Sequence, residues 1–416
     1  MVINAQEEQI QEPVITRRSA DSEARTHIFA VAMFGVLLVS YVVMAADRYL
    51  FPVLAPDVRR DLGFTLTKTG LLSTIFTLGL AVGGLPSGYL LLRFSRKTVL
   101  LAGIMIFSTA TVLTAITRGF WGMLVCLAIM GIGMAMLATV MFTLASTYFF
   151  RHRAAAIGSV NLCYGIGGMM GPILAGALLI TYGTWRIPMA AFGLLGFLMV
   201  AVIALAVRRW FSETRRAVEV QADRGGAPSL VNRNTILLTA LSLIHGLVLY
   251  GFLGMYPTYL REGLHYAPRT AGLAMSFFGL GATLSIAGGW LGDRFSPRLV
   301  LSVAFLCTSA LGYLVFHGSS AMVPQATLSC AYGILTSAVL YVNLAGYHVK
   351  ALRSSLAARG SGIFVTSLYG SSAVAGYSMG WLVNQGGWVL AGAIQISLLS
   401  LVAAILALAL RPDQMS

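Results

Sequence analysis

Charge is what this sequence has least of. Only 10% of its 416 residues are Asp, Glu, Lys or Arg, where a soluble chain carries roughly 25%. That scarcity excludes a water-soluble globule. Acids are the scarcer sign, 14 against 28 bases. Cysteine is also sparse. Cys126, Cys163, Cys307 and Cys330 lie singly inside apolar runs without CxxC spacing, which gives neither a disulfide framework nor a zinc site and leaves them as small buried hydrophobes. No cluster of His, Cys and acids has metal-ligand spacing. There is no Walker motif and no Gly-x-Ser-x-Gly elbow, so neither ATP drive nor an enzyme is expected, and no cofactor. Residues 1–27 are polar and lack the apolar core of a signal peptide; they read as a disordered cytoplasmic tail.

What the sequence has is apolar length. Hydrophobic residues make up 57% of the chain and the mean hydropathy is +0.82. A membrane-spanning helix needs about 20 mostly apolar residues, because hydrocarbon offers the backbone no partners outside its own helix. Twelve such runs are present: 28–55, 69–92, 98–117, 120–147, 154–181, 186–207, 235–260, 270–291, 299–317, 321–347, 359–383 and 387–410. The longest polar stretch, 208–234, separates the sixth from the seventh. The expected fold is therefore an all-α membrane protein. Residues 28–207 form one six-helix bundle, 208–234 a cytoplasmic linker, 235–410 a second bundle and 411–416 a tail.

Basic residues set the expected orientation. With the N-terminus inside, twenty of the 28 Lys and Arg fall in cytoplasmic segments and seven in outer ones, Arg48 being the remainder. That asymmetry favours both termini in the cytoplasm, and a multi-pass protein of a bacterial inner membrane is expected. It also accounts for most of the formal +14, which is no argument for nucleic acid. The expected partners are the lipid bilayer, a small-molecule substrate and protons, with the chain a monomer.

The two halves repeat each other. "GYLLLRFSRKTVLL" (88–101) and "GWLGDRFSPRLVLS" (289–302) share Gly88/Gly289, Arg93/Arg294, Phe94/Phe295, Ser95/Ser296 and Val99/Val300, with Lys97 opposite Arg298. Internal symmetry of this kind belongs to transporter folds, whose substrate sites lie at the repeat interface. Here the chain resembles the major facilitator superfamily, whose loop motif runs Gly-x-x-x-Asp-Arg-x-Gly-Arg-Arg/Lys. The second copy keeps Gly289, Asp293 and Arg294. The first keeps Gly88, Arg93, Arg96 and Lys97 but has Leu92 in place of the acid. By the resemblance these residues form a charge latch on the cytoplasmic side, and Leu92 puts the first-half latch in doubt. "GIGGMMGPILAG" (165–176) resembles the fifth-helix signature of proton-coupled antiporters, although small residues for close packing account for it by themselves. "YGTWR" (182–186) is another stretch common in the superfamily.

One feature breaks the apolar pattern of the first run: "MAADRYLF" (44–51) carries an acid and a base side by side. An ionisable residue inside a spanning helix costs about 2.5–3.5 kcal/mol on the insertion scale, so it reads as functional. At 100° per residue, Ser40, Val43, Met44 and Asp47 form one stripe, and Tyr41, Ala45 and Arg48 the next. Tyr41 and Arg48 can face one cavity while Asp47 turns to a neighbour. Pro52 leaves open a helix that stops at Ala46 with the pair at the interface. The Asp-Arg pair resembles that of the anion:cation symporters and of the Spinster lipid exporters. The resemblance implies that Arg48 binds a substrate carboxylate or phosphate and that Asp47 carries the coupling proton. It departs in the fourth run, where Leu127 and Met134 replace the Arg and Glu usual in those families.

The remaining candidates are uncharged: Asn161 and Tyr164 in the fifth run, His245, Tyr250 and Tyr256 in the seventh, Tyr341 and Asn343 in the tenth, and Tyr369 in the eleventh. Among these, all but Tyr256 join Arg48 and Tyr41 as candidate substrate ligands. His245 is also a packing candidate and the reserve proton carrier. The expectation is a proton-coupled secondary transporter of a small organic anion working by alternating access. An exporter of drugs, lipids or other amphiphiles, and a membrane assembly or sensor protein, remain as alternatives.

Overall fold

The computed structural model describes residues 8–149, 153–213, 226–353 and 356–415. Among them there is no strand, only an isolated bridge between Ala227 and Leu352. Ten helices are long and apolar enough to cross a membrane, and the pair Pro268–Ala282 and Ser285–Arg294, bent by 41°, makes an eleventh span. One of the ten, Arg359–Ala407, has 49 residues. As a single helix it would be about 73 Å long, more than twice the hydrocarbon thickness. It is broken at Gly386 (φ −153°) and Gly387 (φ 78°). Only glycine adopts the Gly387 conformation without steric cost, so two spans meet there. The total is twelve, the count read from the sequence.

The first span runs further than expected, as Glu8–Arg48 followed by Leu50–Leu62. Residues 8–27, read as a disordered tail, are helical and continuous with it, while 1–7 lie outside the described residues. At its other end the helix runs through Asp57, Arg59 and Arg60 to Gly63, a left-handed cap at φ 67°. The apolar run ends ahead of these charges, and the structure pairs them. Most of the expected linker, 214–225, is outside the described residues, and the short helix Arg209–Ser212 precedes it.

The repeat of 201 residues is visible in bonds as well as letters. Ser95 caps the third span by accepting from the amide of Thr98, and Ser296 caps the ninth from that of Leu299. Lys97 Nζ donates to the carbonyl of Val207 at 2.6 Å, and Arg298 Nε to that of Leu408 at 2.5 Å. Each is a cation satisfying the last carbonyls of a span, where the helix dipole favours it. Consecutive spans alternate in direction, so among the described residues the junctions after spans two, six, eight and ten share one end of the bundle, the even-loop end. Loops after spans one, three and five share the odd-loop end.

Glycine decides which helices approach most closely. A Cβ on Gly70 would run into the carbonyl of Gly376, and one on Gly376 into that of Gly70, which joins span two to span eleven across the halves. Gly167 and Gly171 lie against the backbone of residues 42–46, and Gly176 against the carbonyl of Pro268 at 2.7 Å. The "GIGGMMGPILAG" segment therefore presses span five onto span one and, across the halves, onto span eight.

Candidate functional site

The charged pair lies where the first helix breaks. Pro52 has no N–H to offer the carbonyl of Arg48, four residues back. The helix responds with a turn at Tyr49, whose amide bonds instead to Ala46 at 3.1 Å. Both charges are deep inside the protein, Asp47 1% exposed and Arg48 6%. The open alternative of an interfacial helix end does not describe this arrangement.

The two side chains part company. Asp47 points into the first bundle, where Thr111 Oγ1 of span three donates to its Oδ2 at 2.9 Å; its Oδ1 is buried with no hydrogen-bond partner. Arg48 points the other way, into a cavity of about 100 Å³ between the halves. It donates to the hydroxyl of Tyr250 on span seven. Its guanidinium lies over the rings of Phe76 at 4.6 Å and of Tyr164 and Tyr250 at 5.2 Å. It makes no ion pair among the described residues. Desolvated cation–π contacts contribute roughly 0.5–2 kcal/mol each, enough to offset much of the cost of the embedded cation without neutralising it. The result is a buried positive charge facing a cavity between the halves.

Phenols supply most of the remaining polar wall. Tyr49 donates to Tyr164 at 3.0 Å, and the hydroxyls of Tyr341 and Tyr369 are 3.0 Å apart. Tyr41, Asn161, Ser285 and Ser337 complete the polar lining; Leu80, Met134, Phe142 and Phe278 supply apolar surface. Of the residues singled out in the sequence, Arg48, Tyr41, Asn161, Tyr164, Tyr250, Tyr341 and Tyr369 share this cavity.

Two are not brought to it. His245 is fully buried within the second bundle, edge-on to Phe305. Asn343 spends its amide on the carbonyls of Gly288 and Val339, both at 2.9 Å, pinning span ten to span eight. Tyr256, already outside the ligand set, bonds to Gln325. Sequence reasoning missed Tyr49, which the Tyr49 turn swings into the wall, and Thr111, which nothing in its own segment marks. Met134, noted only as a missing Glu, is part of the lining.

At the odd-loop end the halves are tied by ions. Arg261 Nη1 and Nη2 donate to Asp57 Oδ2 and Oδ1 at 2.8 and 3.2 Å, and Arg59 pairs with Glu262 at 2.7 Å. In the sequence Arg59 and Arg261 stand only among the seven outer bases, and nothing singles out Asp57 or Glu262. The 201-residue offset, which also relates Arg60 to Arg261 and Asp61 to Glu262, was the available signal.

A family model described as Major Facilitator Superfamily matches residues 37–377. The chain belongs to the Major Facilitator Superfamily. It is a multi-pass membrane transporter and not an enzyme. The gallate transporter of Pseudomonas putida is 26% identical over 360 residues, covering 77% of this chain and 80% of that protein. The hexuronate transporter of Bacillus subtilis (strain 168) is 23% identical over 391 residues, covering 86% and 90%. The fold is similar to that of a bacterial homologue of the human lysosomal transporter Spinster in an inward-facing, occupied conformation. There the TM-score is 0.71 at 16% identity, covering 92% of this chain and 95% of that one.

The loop motif of this major facilitator is built differently in its two halves. Asp293 pairs with Lys350 at 2.7 Å, an exposed bridge within the second bundle. Leu92, its counterpart, is 79% exposed, and the position equivalent to Lys350 is Phe149. An acid from outside the motif works in this region: Glu213 accepts from the amides of Arg96 and Lys97 at 3.0 and 3.1 Å, capping span three. Arg96 also reaches Thr147, Arg93 lies over Tyr89 and Arg294 over Trp290. Gly88 has nothing near its Cβ position, and Gly289 only Val342 at 3.6 Å, so close approach does not require either glycine.

Proposed function

We propose that this protein is a secondary transporter of a compact organic anion, a carboxylate of aromatic-acid or sugar-acid type, working by alternating access and coupled to protons. The observation that carries the reading is Arg48: a buried guanidinium, without a carboxylate partner among the described residues, facing a cavity between the halves. Its planar fork suits a carboxylate in two parallel hydrogen bonds. The cavity is below the roughly 300–1,000 Å³ of drug-sized pockets, which favours a small solute. The names of the gallate and hexuronate relatives agree with that class.

Asp47 is the proposed proton carrier. It does not touch the cavity, so coupling runs through the backbone it shares with Arg48: any rotation of span one about the Tyr49 turn moves both. The charge tally supports placing the even-loop end in the cytoplasm of a bacterium. The Arg261–Asp57 and Arg59–Glu262 pairs tie the odd-loop end, so this conformation is read as closed to the outside, the one that loads or unloads inward. The carrier is proposed to act as a monomer.

Counterflow into proteoliposomes tests the reading. Labelled gallate or a labelled hexuronate should enter saturably against unlabelled substrate, and Arg48→Ala should abolish entry while the protein remains monodisperse. Failure of both acids, and of a wider carboxylate panel, to enter or compete would sink it.

A further inference from the structure

We propose that the cleft between the start of span one and the end of span six holds an anionic phospholipid, its acyl chain against the apolar walls and its phosphate at Arg208. The cleft measures about 660 Å³ and is lined by Phe29, Met33, Leu205, Ala206, Arg208 and Trp210. Phe29 is 64% and Leu205 79% exposed, so the walls present bare hydrocarbon surface at the even-loop end of the bundle. In a membrane-embedded protein a lipid chain covers such a surface. The rim then selects the headgroup. Arg208 and its neighbour Arg209 are exposed and make no ion pair among the described residues. The nearby Glu213 is held by the first amides of span three and Lys97 by the last carbonyls of span six, so neither answers the charge of Arg208. Trp210, half exposed beside the arginines, has the amphipathic ring that settles at headgroup level.

The second half marks the cleft as a departure from the repeat. Asn234, the equivalent of Met33 at the 201-residue offset, closes the matching junction: its Nδ2 donates to the carbonyl of Arg411 at 2.9 Å and its Oδ1 accepts from the amide of Arg411 at 3.0 Å. In the first half the described contact at this position is a weaker one: Met33 sulfur accepts from the amide of Arg208 at 3.2 Å. Sulfur is a weak acceptor, and the junction stays open. Basic side chains between helix ends are suited to anionic headgroups through charge and phosphate hydrogen bonds.

The test uses the full chain in dodecylmaltoside, titrated with phosphatidylglycerol or phosphatidylcholine, each brominated on its acyl chains. The readout is the quenching of Trp210, taken as the difference between the protein and its Trp210→Phe variant. Phosphatidylglycerol should quench at about fivefold lower mole fraction, the factor one basic side chain near an anionic surface supplies. Arg208→Gln should bring the two lipids to parity, and Arg208→Lys should keep the preference. In about 1 M salt, where the screening length falls to about 3 Å, the unmodified protein should lose most of its preference. Equal quenching by the two lipids, or a preference that survives both Arg208→Gln and salt, overturns the proposal.

Discussion

Arg261 and Asp57 grip each other across the two halves through two hydrogen bonds, 204 residues apart in the chain, with Arg261 only 8% exposed. A partly buried pair with two parallel bonds lies above the roughly 0–1 kcal/mol of ordinary surface bridges. Breaking it with Asp57→Ala should shift the population away from odd-loop closure by about tenfold, within the range measured for coupled neighbours. Accessibility of a cysteine placed at Tyr49 to an impermeant thiol reagent reads the shift. A double-mutant cycle with Arg261→Ala should recover most of the same energy as a coupling term; additive single effects would remove the pair from the gate.

Arg48→Lys keeps the charge but loses the fork and the flat face that lies over Phe76 and Tyr164. Loss of one charge-assisted hydrogen bond costs about 1.5–3 kcal/mol, so substrate Kd should weaken roughly 10- to 150-fold. Tyr250→Phe removes the phenol that Arg48 donates to and should tighten anion binding, because the guanidinium then has one competitor fewer. Isothermal titration of both variants decides this, and equal loss in both would argue for a purely structural Arg48–Tyr250 contact.

Asp47→Asn imitates the protonated acid. Exchange of substrate across the membrane should persist, while accumulation driven by a pH gradient should disappear. Thr111→Val removes the hydroxyl that donates to Asp47 and should change the pH dependence of uptake without changing Kd. Proteoliposomes with and without an imposed gradient separate the two readouts. Gradient-driven accumulation that survives Asp47→Asn would take this residue out of coupling. His245 would be a poor replacement, buried as it is within the second bundle away from the cavity.

Glu213→Ala strips a cap from span three and should lower stability by about 0.5–2 kcal/mol, seen as a reduced Tm in detergent. Asp293→Asn breaks an exposed bridge and should leave Tm nearly unchanged while altering transport rate. A fall in Tm for Asp293→Asn as large as that for Glu213→Ala would contradict the asymmetry between the two loop motifs.

Gly167→Ala places a methyl 2.5 Å from Ala45 Cβ and 2.7 Å from the carbonyl of Val42, a wedge between spans five and one just ahead of the charged pair. Transport should fall although every polar site residue is intact. Gly88→Ala meets nothing within 4 Å and should fold and melt like the parent protein. Thermal melts beside counterflow rates distinguish the two.

The sequence by itself determined the twelve spans and the six-plus-six repeat; the burial of Asp47 and Arg48, left open by Pro52, was decided by the structure. Hydrocarbon forces each backbone to satisfy itself within about 20 residues, so a span is a local property that hydropathy can read. The 100° helical step likewise separates Arg48 from Asp47 and sets Tyr41 on the side of Arg48. Tertiary structure alone decided which polar residues meet. A spanning helix is apolar both toward lipid and toward its neighbours, so composition does not fix its rotation. That is why His245 and Asn343, as plausible on paper as Asn161 and Tyr369, face packed helices instead of the cavity. It is also why Thr111 could not be named in advance as the partner of Asp47. The same holds for Asp57 with Arg261 and for Glu213 with the amides of Arg96 and Lys97: each side chain is an ordinary loop-end charge until packing sets it beside a partner more than a hundred residues away.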